Sequence, residues 1–390
     1  MAGPVETFFA PCPRGLEDLL CDEVRLLGAE DIAVVPGGVG FTGSFDLCYR
    51  VNLESRIASR VLWRVWSGLY RREQDLYDAA IALAWPDWFS VQSTIKVKVS
   101  ARHCPLKSLD FITLRIKDAV CDRFTAVRGR RPTVDTRKPS IRIDAYLDHQ
   151  TVLFYLDTSG EPLFKRGLRR VNVEAPLREN LAAGILRLSG WHAARTLLDP
   201  MCGSGTIVME AAQMGSNMAP GLGRSFAFEQ LHGFDARQWE RLCEERRARQ
   251  TTGESLPIYA CDRSEKAVHA TRANLQAAGL DRAVHVKRAD VLDMIPPTDE
   301  GILVTNPPYG VRMGMDLGLA KFYPLLGDAL KQRFTGWHAY LLSVDLNLPK
   351  HIGLAATRRT PLFNGALECR LFEFKIVRGV MRRTKTKVGA

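Results

Sequence analysis

Polar and apolar residues follow two different periods along the first 160 residues of the chain. Some segments repeat apolar residues at helical spacing, and others alternate polar with apolar residues as half-buried strands do. Helices are predicted at residues 13–27, 45–53 and 109–127. Strands are predicted at residues 32–35, 39–42, 94–99, 140–147 and 151–156. We therefore predict two small α+β units, at residues 1–56 and 57–160.

The pattern changes to alternating helices and strands after about residue 175. Short apolar runs occur at residues 196–198, 257–261, 283–287, 301–305 and 339–344, with helical stretches between them. This order is typical of an open, mostly parallel sheet with helices on both faces, in which ligands bind at the carboxyl ends of the strands. We predict such an α/β domain, Rossmann-like in architecture, at residues 165–390.

Composition narrows the class of protein. The chain has 390 residues, of which 46% are hydrophobic and 25% are charged, as in ordinary globular proteins. It has no apolar run of about 18 residues that could span a membrane, and its amino terminus does not resemble a signal peptide. Its nine cysteines include no C-x-x-C pair. We expect a cytoplasmic protein with reduced thiols and no bound metal.

The net charge of +11 is concentrated in the second half of the chain, because residues 1–160 carry 21 basic and 20 acidic residues. Basic clusters of this kind suit a polyanion such as RNA, although each could also be ordinary solvated surface. The tail from Lys375 to Lys387 is basic as well. The predicted RNA-binding residues are Arg128, Arg130, Arg131, Arg137, Lys138, Lys165, Arg166, Arg169 and Arg170.

A glycine turn follows the strand that ends at Asp199. Gly203 and Gly205 would let the backbone pass close to a ligand. The third glycine of a dinucleotide-binding turn is replaced by Val208, and the acidic residue expected about 20 positions later is missing. Asp199 could engage the amino group of a ligand, while the turn passes beneath its adenosine moiety.

Acidic residues also follow the next two strands. Asp262 could accept hydrogen bonds from both hydroxyls of a ribose, and Asp290 could accept one from an adenine amino group while Val291 packs on the ring. Each aspartate alone could be a helix cap or a turn residue. Their succession predicts an S-adenosylmethionine site, for which we list Asp199, Met201, Cys202, Gly203, Gly205, Thr206, Asp262, Arg263, Asp290 and Val291.

The strand at residues 301–305 leads into Asn306, Pro307, Pro308 and Tyr309, which we predict to be the catalytic residues. An exocyclic amine of a base is a weak nucleophile that needs acceptors for its hydrogens. The Asn306 side-chain oxygen and the Pro307 carbonyl could supply them. Tyr309 could stack on a base that has been taken out of its helix. The alternative is a rigid turn made by the two prolines.

In combination, these motifs resemble the THUMP-domain class I RNA methyltransferases, and most closely those that make N2-methylguanosine in bacterial large-subunit ribosomal RNA. Residues 199–206 and 306–312 carry the resemblance, and residues 175–182, 219–222 and 239–242 extend it. The amino-terminal half matches only in layout. The resemblance implies a ferredoxin-like unit at residues 1–56, a THUMP RNA-binding domain at 57–160 and a catalytic domain at 165–390.

The resemblance also implies a substrate, namely the guanine N2 amino group in 23S ribosomal RNA or in one of its assembly intermediates. Val311 departs from the family, whose ribosomal members often have Glu there. We also expect the chain to lack the second methyltransferase module that is fused to this one in some bacteria. Alternatives are guanine-N2 methylation of transfer RNA, adenine-N6 methylation of DNA, and an RNA-binding module that has lost catalysis.

Overall fold

The structure is a computed structural model that describes residues 4–168, 170–171, 177–251, 253–308 and 316–377, with only the backbone of residues 316–320. The chain forms two compact units. The first comprises Met1–Gly167 and Ala219–Arg249, and the second comprises Leu168–Met218 and Gln250–Ala390. Among the described residues, no helix is both long and apolar enough to cross a membrane.

The first unit is built on one seven-stranded sheet with the strand order β2-β3-β1-β4-β7-β6-β5. Its strands are β1 (Glu6–Pro11), β2 (Glu30–Val35), β3 (Gly38–Gly43), β4 (Leu62–Leu69), β5 (Ile95–Arg102), β6 (Ile141–Asp148) and β7 (Thr151–Asp157). Its helices up to residue 128 are α1 (Glu17–Leu26), α2 (Phe45–Glu54), α3 (Glu73–Ala82), α4 (Trp85–Trp88) and α5 (Leu109–Arg128). Because β4 pairs with both β1 and β7, the two predicted α+β units share one sheet.

Helix α5 shows why the sequence pattern locates elements well in this unit. Its apolar residues at helical spacing from Ile112 through Ile116 to Phe124 are buried, whereas Leu109 at the start of the helix is exposed. At its start, Ser108 accepts a hydrogen bond from the Phe111 backbone N–H at 3.2 Å. At its end, Gly129 adopts a left-handed conformation with φ 72°. The capping residues therefore enclose the same segment that the spacing of the apolar residues predicts to be helical.

The second unit is an α/β domain with the strand order β10-β9-β8-β11-β12-β14-β13. Its strands are β8 (Leu197–Asp199), β9 (Ile258–Asp262), β10 (His285–Arg288), β11 (Ile302–Thr305), β12 (His338–Ser343), β13 (Arg358–Asn364) and β14 (Leu367–Lys375). The helices from residue 179 onward, all in the second unit except α8, are α6 (Glu179–Leu188), α7 (Thr206–Gly215), α8 (Ala236–Ala248), α9 (Glu265–Ala277), α10 (Asp316–Arg333) and α11 (Leu348–His351). The first five strands are parallel and the last two are antiparallel, which confirms the predicted mostly parallel sheet.

Helix α8 belongs to the first unit, although its sequence lies inside the range predicted for the catalytic domain. The Gly221 N–H donates to the Leu53 carbonyl oxygen at 2.8 Å, and a Cβ at Gly221 would lie 2.7 Å from the Leu53 backbone. The Trp239 ring packs against Phe226 and Phe228 at centroid distances of 5.4 and 5.0 Å. The insertion at residues 219–249 therefore packs on the amino-terminal sheet unit.

The strand order of the second unit changes direction at β8. The chain runs outward through β9 and β10 on one side of β8 and then returns to form β11 and β12 on the other side. Ligands of open α/β sheets bind at the carboxyl ends of the strands at such a switch point. Asp199, Asp262 and Asn306 lie at the carboxyl ends of β8, β9 and β11.

Candidate active site

The glycine turn between β8 and α7 depends on glycine at two positions. Gly203 and Gly205 have φ angles of 57° and 85°, in the left-handed region that favours glycine. A Cβ at Gly205 would lie 2.9 Å from Cγ2 and 3.0 Å from Oγ1 of Thr271. Thr206 then begins α7. The turn therefore brings its main chain close to α9 at Gly205, where a side chain would collide with Thr271.

Neighbouring strands and helices hold this turn in place. The Cys202 N–H donates to the Cys261 carbonyl oxygen at 2.9 Å, and the Gly203 N–H donates to Oδ2 of Asp262 at 3.0 Å. The Thr271 hydroxyl donates to the Gly203 carbonyl oxygen at 3.0 Å. The Cys202 side chain is buried, and burial raises the pKa of its thiol. Cys202 is thus an inert part of the turn rather than a nucleophile.

Asp199 is a buried carboxyl group at the end of β8, with 2% of its surface exposed. Its Oδ1 accepts hydrogen bonds from the Thr305 hydroxyl at 2.8 Å and from the Met201 N–H at 3.2 Å. Burial outweighs these bonds and raises its pKa from 3.8 to about 7. A cationic group bound beside Asp199 would lower this pKa again, so the site favours a positively charged ligand group.

Asp262 lies at the end of β9 and is half-buried. Its Oδ2 accepts from the Gly203 N–H, and its Oδ1 accepts from the Ser264 N–H at 2.9 Å. Each carboxylate oxygen has two acceptor positions, so one on each oxygen has no partner among the described residues and could serve a ligand. The side chain of Arg263 is exposed, and its carbonyl oxygen accepts from Nε of Arg288 at 3.1 Å.

Asp290 and Val291 follow β10 and differ in burial. Asp290 is half-buried, and its Oδ1 accepts from the Leu292 N–H at 3.0 Å. The Val291 side chain is 3% exposed and belongs to the hydrophobic core of the unit. A ligand beside Asp290 would therefore meet mainly the backbone of Val291.

The turn after β11 contains a buried acceptor. Oδ1 of Asn306 is buried and has no hydrogen-bond partner among the described residues. Pro307 is buried beside it, and the Pro308 carbonyl oxygen accepts from the Tyr323 hydroxyl at 2.9 Å. Tyr309, together with the rest of the motif up to residue 312, lies outside the described residues. The turn thus presents an amide oxygen whose bonding capacity is unused within the described chain.

The predicted RNA-binding residues differ in accessibility. The prediction that Arg166 binds RNA is wrong, because the residue is 4% exposed. Its guanidinium donates to the carbonyl oxygens of Leu163 and Arg56 at 2.7 and 2.8 Å. It is a structural residue of the first unit, unavailable to RNA. Arg169 and the tail from residue 378 lie outside the described residues. The side chains of the other predicted residues are exposed, namely Arg128, Arg130, Arg131, Arg137, Lys138, Lys165 and Arg170.

Three polar residues of the site were missed by the sequence analysis. Thr305 binds Asp199, and Thr271 and Asn274 contact the glycine turn from α9. All three are at most 1% exposed. In the sequence, Thr271 and Asn274 interrupt the apolar face of α9 three residues apart, and this interruption was the available signal.

Comparison with known families agrees with this arrangement. The profile of the RMKL-like methyltransferase domain matches residues 166–373. An RlmL ferredoxin-like domain matches residues 7–62, and a THUMP domain matches residues 70–157. These matches confirm the predicted fold class and the predicted family resemblance.

Similar proteins are found among curated sequences and solved structures. "Ribosomal RNA large subunit methyltransferase K/L" of Syntrophotalea carbinolica is 41% identical over 96% of the chain and 54% of its own length. The chain thus spans about half the length of the curated relatives it matches. Among solved structures, SMU.472 complexed with SAH is 29% identical with a TM-score of 0.86, covering 97% of the chain and all of SMU.472. A predicted N6-adenine-specific DNA methylase from Listeria monocytogenes is 27% identical with a TM-score of 0.85, covering 95% and 96% of the two chains.

Proposed function

The chain belongs to the family of RMKL-like methyltransferases, and from this premise we propose that it methylates the exocyclic N2 amino group of a guanosine in 23S ribosomal RNA. The observation that carries the proposal is the buried Asn306 oxygen without a partner among the described residues. It follows β11, which pairs with β8, the strand that leads into the glycine turn. An acceptor in this place suits the hydrogens of an amine.

We propose S-adenosylmethionine as the cofactor, and the residues at the strand ends fit it. The buried carboxyl of Asp199 suits its ammonium group, the free acceptor positions of Asp262 suit its ribose hydroxyls, and Asp290 suits its adenine amino group. A solved relative that is complexed with SAH supports this assignment. When bound, S-adenosylmethionine supplies an electrophilic methyl group.

The residues of the chain prepare the amine for transfer. Oδ1 of Asn306 accepts a hydrogen bond from one N–H of the amine, and the Pro307 carbonyl oxygen accepts one from the other. These two bonds concentrate the lone pair on the nitrogen. The acceptors are fixed in advance because β11 is entirely buried, so positioning contributes much of the rate. From the sequence, we assign Tyr309 the role of stacking on the extracted base.

RNA is the proposed partner because a THUMP domain matches the chain and exposed arginines follow α5. Arg128 ends α5 and Arg130 and Arg131 follow it, while Oδ1 of Asp135 accepts hydrogen bonds from the N–H groups of Arg137 and Lys138. Those hydrogen bonds lower the pKa of Asp135. Basic side chains so placed suit contacts with phosphates rather than with particular bases.

Two other substrates compete within the same chemistry. Transfer RNA would use the same basic surface and the same acceptors. DNA adenine is suggested by the name of the Listeria monocytogenes relative, and the motif at Asn306 would accept the hydrogens of an adenine amine equally well. The THUMP match favours RNA.

The test is methylation in vitro followed by nucleoside mass spectrometry. The purified chain and S-adenosylmethionine are incubated with ribosomal RNA, transfer RNA and genomic DNA from cells that lack the gene. We expect N2-methylguanosine to increase in 23S ribosomal RNA and to stay absent when Asn306→Ala replaces the native chain. N2-methylguanosine in transfer RNA alone, or N6-methyladenine in DNA, would replace the proposed substrate by that alternative.

A further inference from the structure

Asn274 is a buried amide that contacts two separate segments of the second unit. It lies on α9 and is 0% exposed. Its Oδ1 accepts from the N–H groups of Arg170 and Val171 at 2.8 and 2.9 Å. Its Nδ2 donates to the carbonyl oxygens of Val171 and Ser204 at 2.9 and 3.0 Å. One side chain therefore bonds both the segment after Gly167 and the glycine turn.

These bonds use the whole capacity of the amide. A carboxamide offers two N–H donors and one oxygen with two acceptor positions, and all of them are occupied here. In a buried place each bond is costly to lose, because the remaining partner is left without water. Of the ordinary side chains, aspartate is as short but lacks the donors. Asn274 is thus specifically suited to joining these two segments.

Asn274 contacts the glycine turn at the point where the backbone of the turn is most constrained. Ser204 lies between Gly203 and Gly205, both of which have left-handed backbone conformations. Thr271, one helical turn before Asn274, holds the Gly203 carbonyl oxygen. A ligand that fixes the turn therefore also fixes the position of the Asn274 amide group.

We propose that Asn274 is a positioning residue that couples the backbone at Arg170 and Val171 to cofactor binding at the glycine turn. The proposal rests on the proposed function in one respect, that the ligand of the turn is S-adenosylmethionine or its product. Coupling through a shared group is reciprocal, so fixing the turn stabilises the segment and fixing the segment stabilises the turn. Arg170 is also an exposed, predicted RNA-binding residue. RNA held at this segment would therefore raise the affinity for the cofactor.

The first experiment measures trypsin cleavage after Arg170, with and without saturating S-adenosylhomocysteine. In the native chain we expect the bound ligand to slow this cleavage at least about fivefold, the lower range of allosteric coupling. Asn274→Asp keeps the acceptor oxygens for Arg170 and Val171 but loses both donors, so the ligand should bind more weakly and no longer protect. Gln276→Glu makes the same chemical change at an exposed position of α9 and should behave like the native chain.

The outcomes separate this inference from the proposed function, because neither RNA nor turnover is needed. Full protection in Asn274→Asp at saturating ligand, or ligand binding without protection in the native chain, would refute the coupling alone. A native chain that binds no S-adenosylhomocysteine by calorimetry would overturn the cofactor assignment and this inference with it. If Asn274→Asp fails to fold, hydrogen exchange in the native chain decides the question. The Arg170 and Val171 amides should then exchange more slowly with ligand bound, and unchanged exchange refutes the coupling.

Discussion

Two turns at the ends of neighbouring strands of the second unit differ in whether their polar groups are hydrogen-bonded within the described chain. The glycine turn after β8 is held by Asp262, Thr271 and Asn274, which come from β9 and α9. The turn after β11 keeps the Asn306 oxygen buried without a partner among the described residues. In the first turn the Gly203 N–H and the carbonyl oxygens of Gly203 and Ser204 are thus hydrogen-bonded without a ligand, whereas in the second turn the Asn306 side-chain oxygen is left for one.

The difference has an energetic cost, which supports the proposed role of Asn306 in the chemistry. Leaving a buried polar atom without a partner costs about 1–3 kcal/mol, so such atoms are rare in structured chains and call for an explanation. A ligand-binding turn gains from being formed in advance, because the ligand then has less of the turn left to order when it binds. An acceptor that acts on a reacting amine gains from being free. This difference supports the proposal that the first turn binds the cofactor and the second acts on the reacting amine.

Asn306→Ala should have the largest effect, on rate and not on stability. Single-turnover methylation should fall about 100-fold or more, the scale seen when one preorganised polar group is removed from a reacting centre. Cofactor and RNA affinities should hold, since the contact matters in the transition state. Removing the oxygen breaks no hydrogen bond that it makes with the described residues, so the melting temperature should stay the same or rise. Rapid-quench kinetics and calorimetric melting measure the two quantities.

Asn306→Asp is the matched variant, because it keeps an acceptor oxygen in nearly the same place. It should lose less rate than Asn306→Ala. A structural role for Asn306 in the turn predicts another pattern, in which both variants melt earlier and lose rate in parallel. A stable Asn306→Ala chain with a near-native rate would remove Asn306 from the chemistry.

Asp262→Ala should have a smaller effect, on cofactor binding. The carboxylate is expected to bind the ribose, and it also holds the Gly203 N–H. Its loss should weaken S-adenosylmethionine binding by about 1.5–3 kcal/mol, the scale of hydrogen bonds to a charged group. Isothermal titration calorimetry measures the affinity. Asp281→Ala, at an exposed position after α9, is the control. Equal affinity in the Asp262→Ala and native chains would exclude Asp262 from the ribose site.

The sequence predicted what local patterns encode. The strands β8, β9 and β11, the glycine turn and the aspartates at the strand ends all follow from short apolar runs and the residues next to them. The burial of Arg166 was not predictable, because its neighbours Lys165 and Arg169 suggest a charged surface while its carbonyl partner at Arg56 is 110 residues away. The packing of the insertion at residues 219–249 likewise depends on distant partners. The β13–β14 pair is different, because it is a local hairpin that turns at residues 365 and 366, and the sequence analysis missed it.

The last prediction concerns the basic surface after α5. Substitutions there should leave both turns unaffected. Reversing Arg130 and Arg131 to Glu should weaken RNA binding and reduce its dependence on salt, because fewer counterions are released from the phosphates. Each lost phosphate contact should lower the slope of log affinity against log salt by about 0.7–0.9. Cofactor affinity and the rate at saturating RNA should not change, since neither residue belongs to the turns. Arg25→Glu reverses a charge that is 60% exposed on α1 and already paired with Asp22, and it is the control. Filter binding across a salt series measures the slopes. If both reversals give the native slope, Arg130 and Arg131 are ordinary solvated surface, and the proposed RNA contacts must lie elsewhere in the chain.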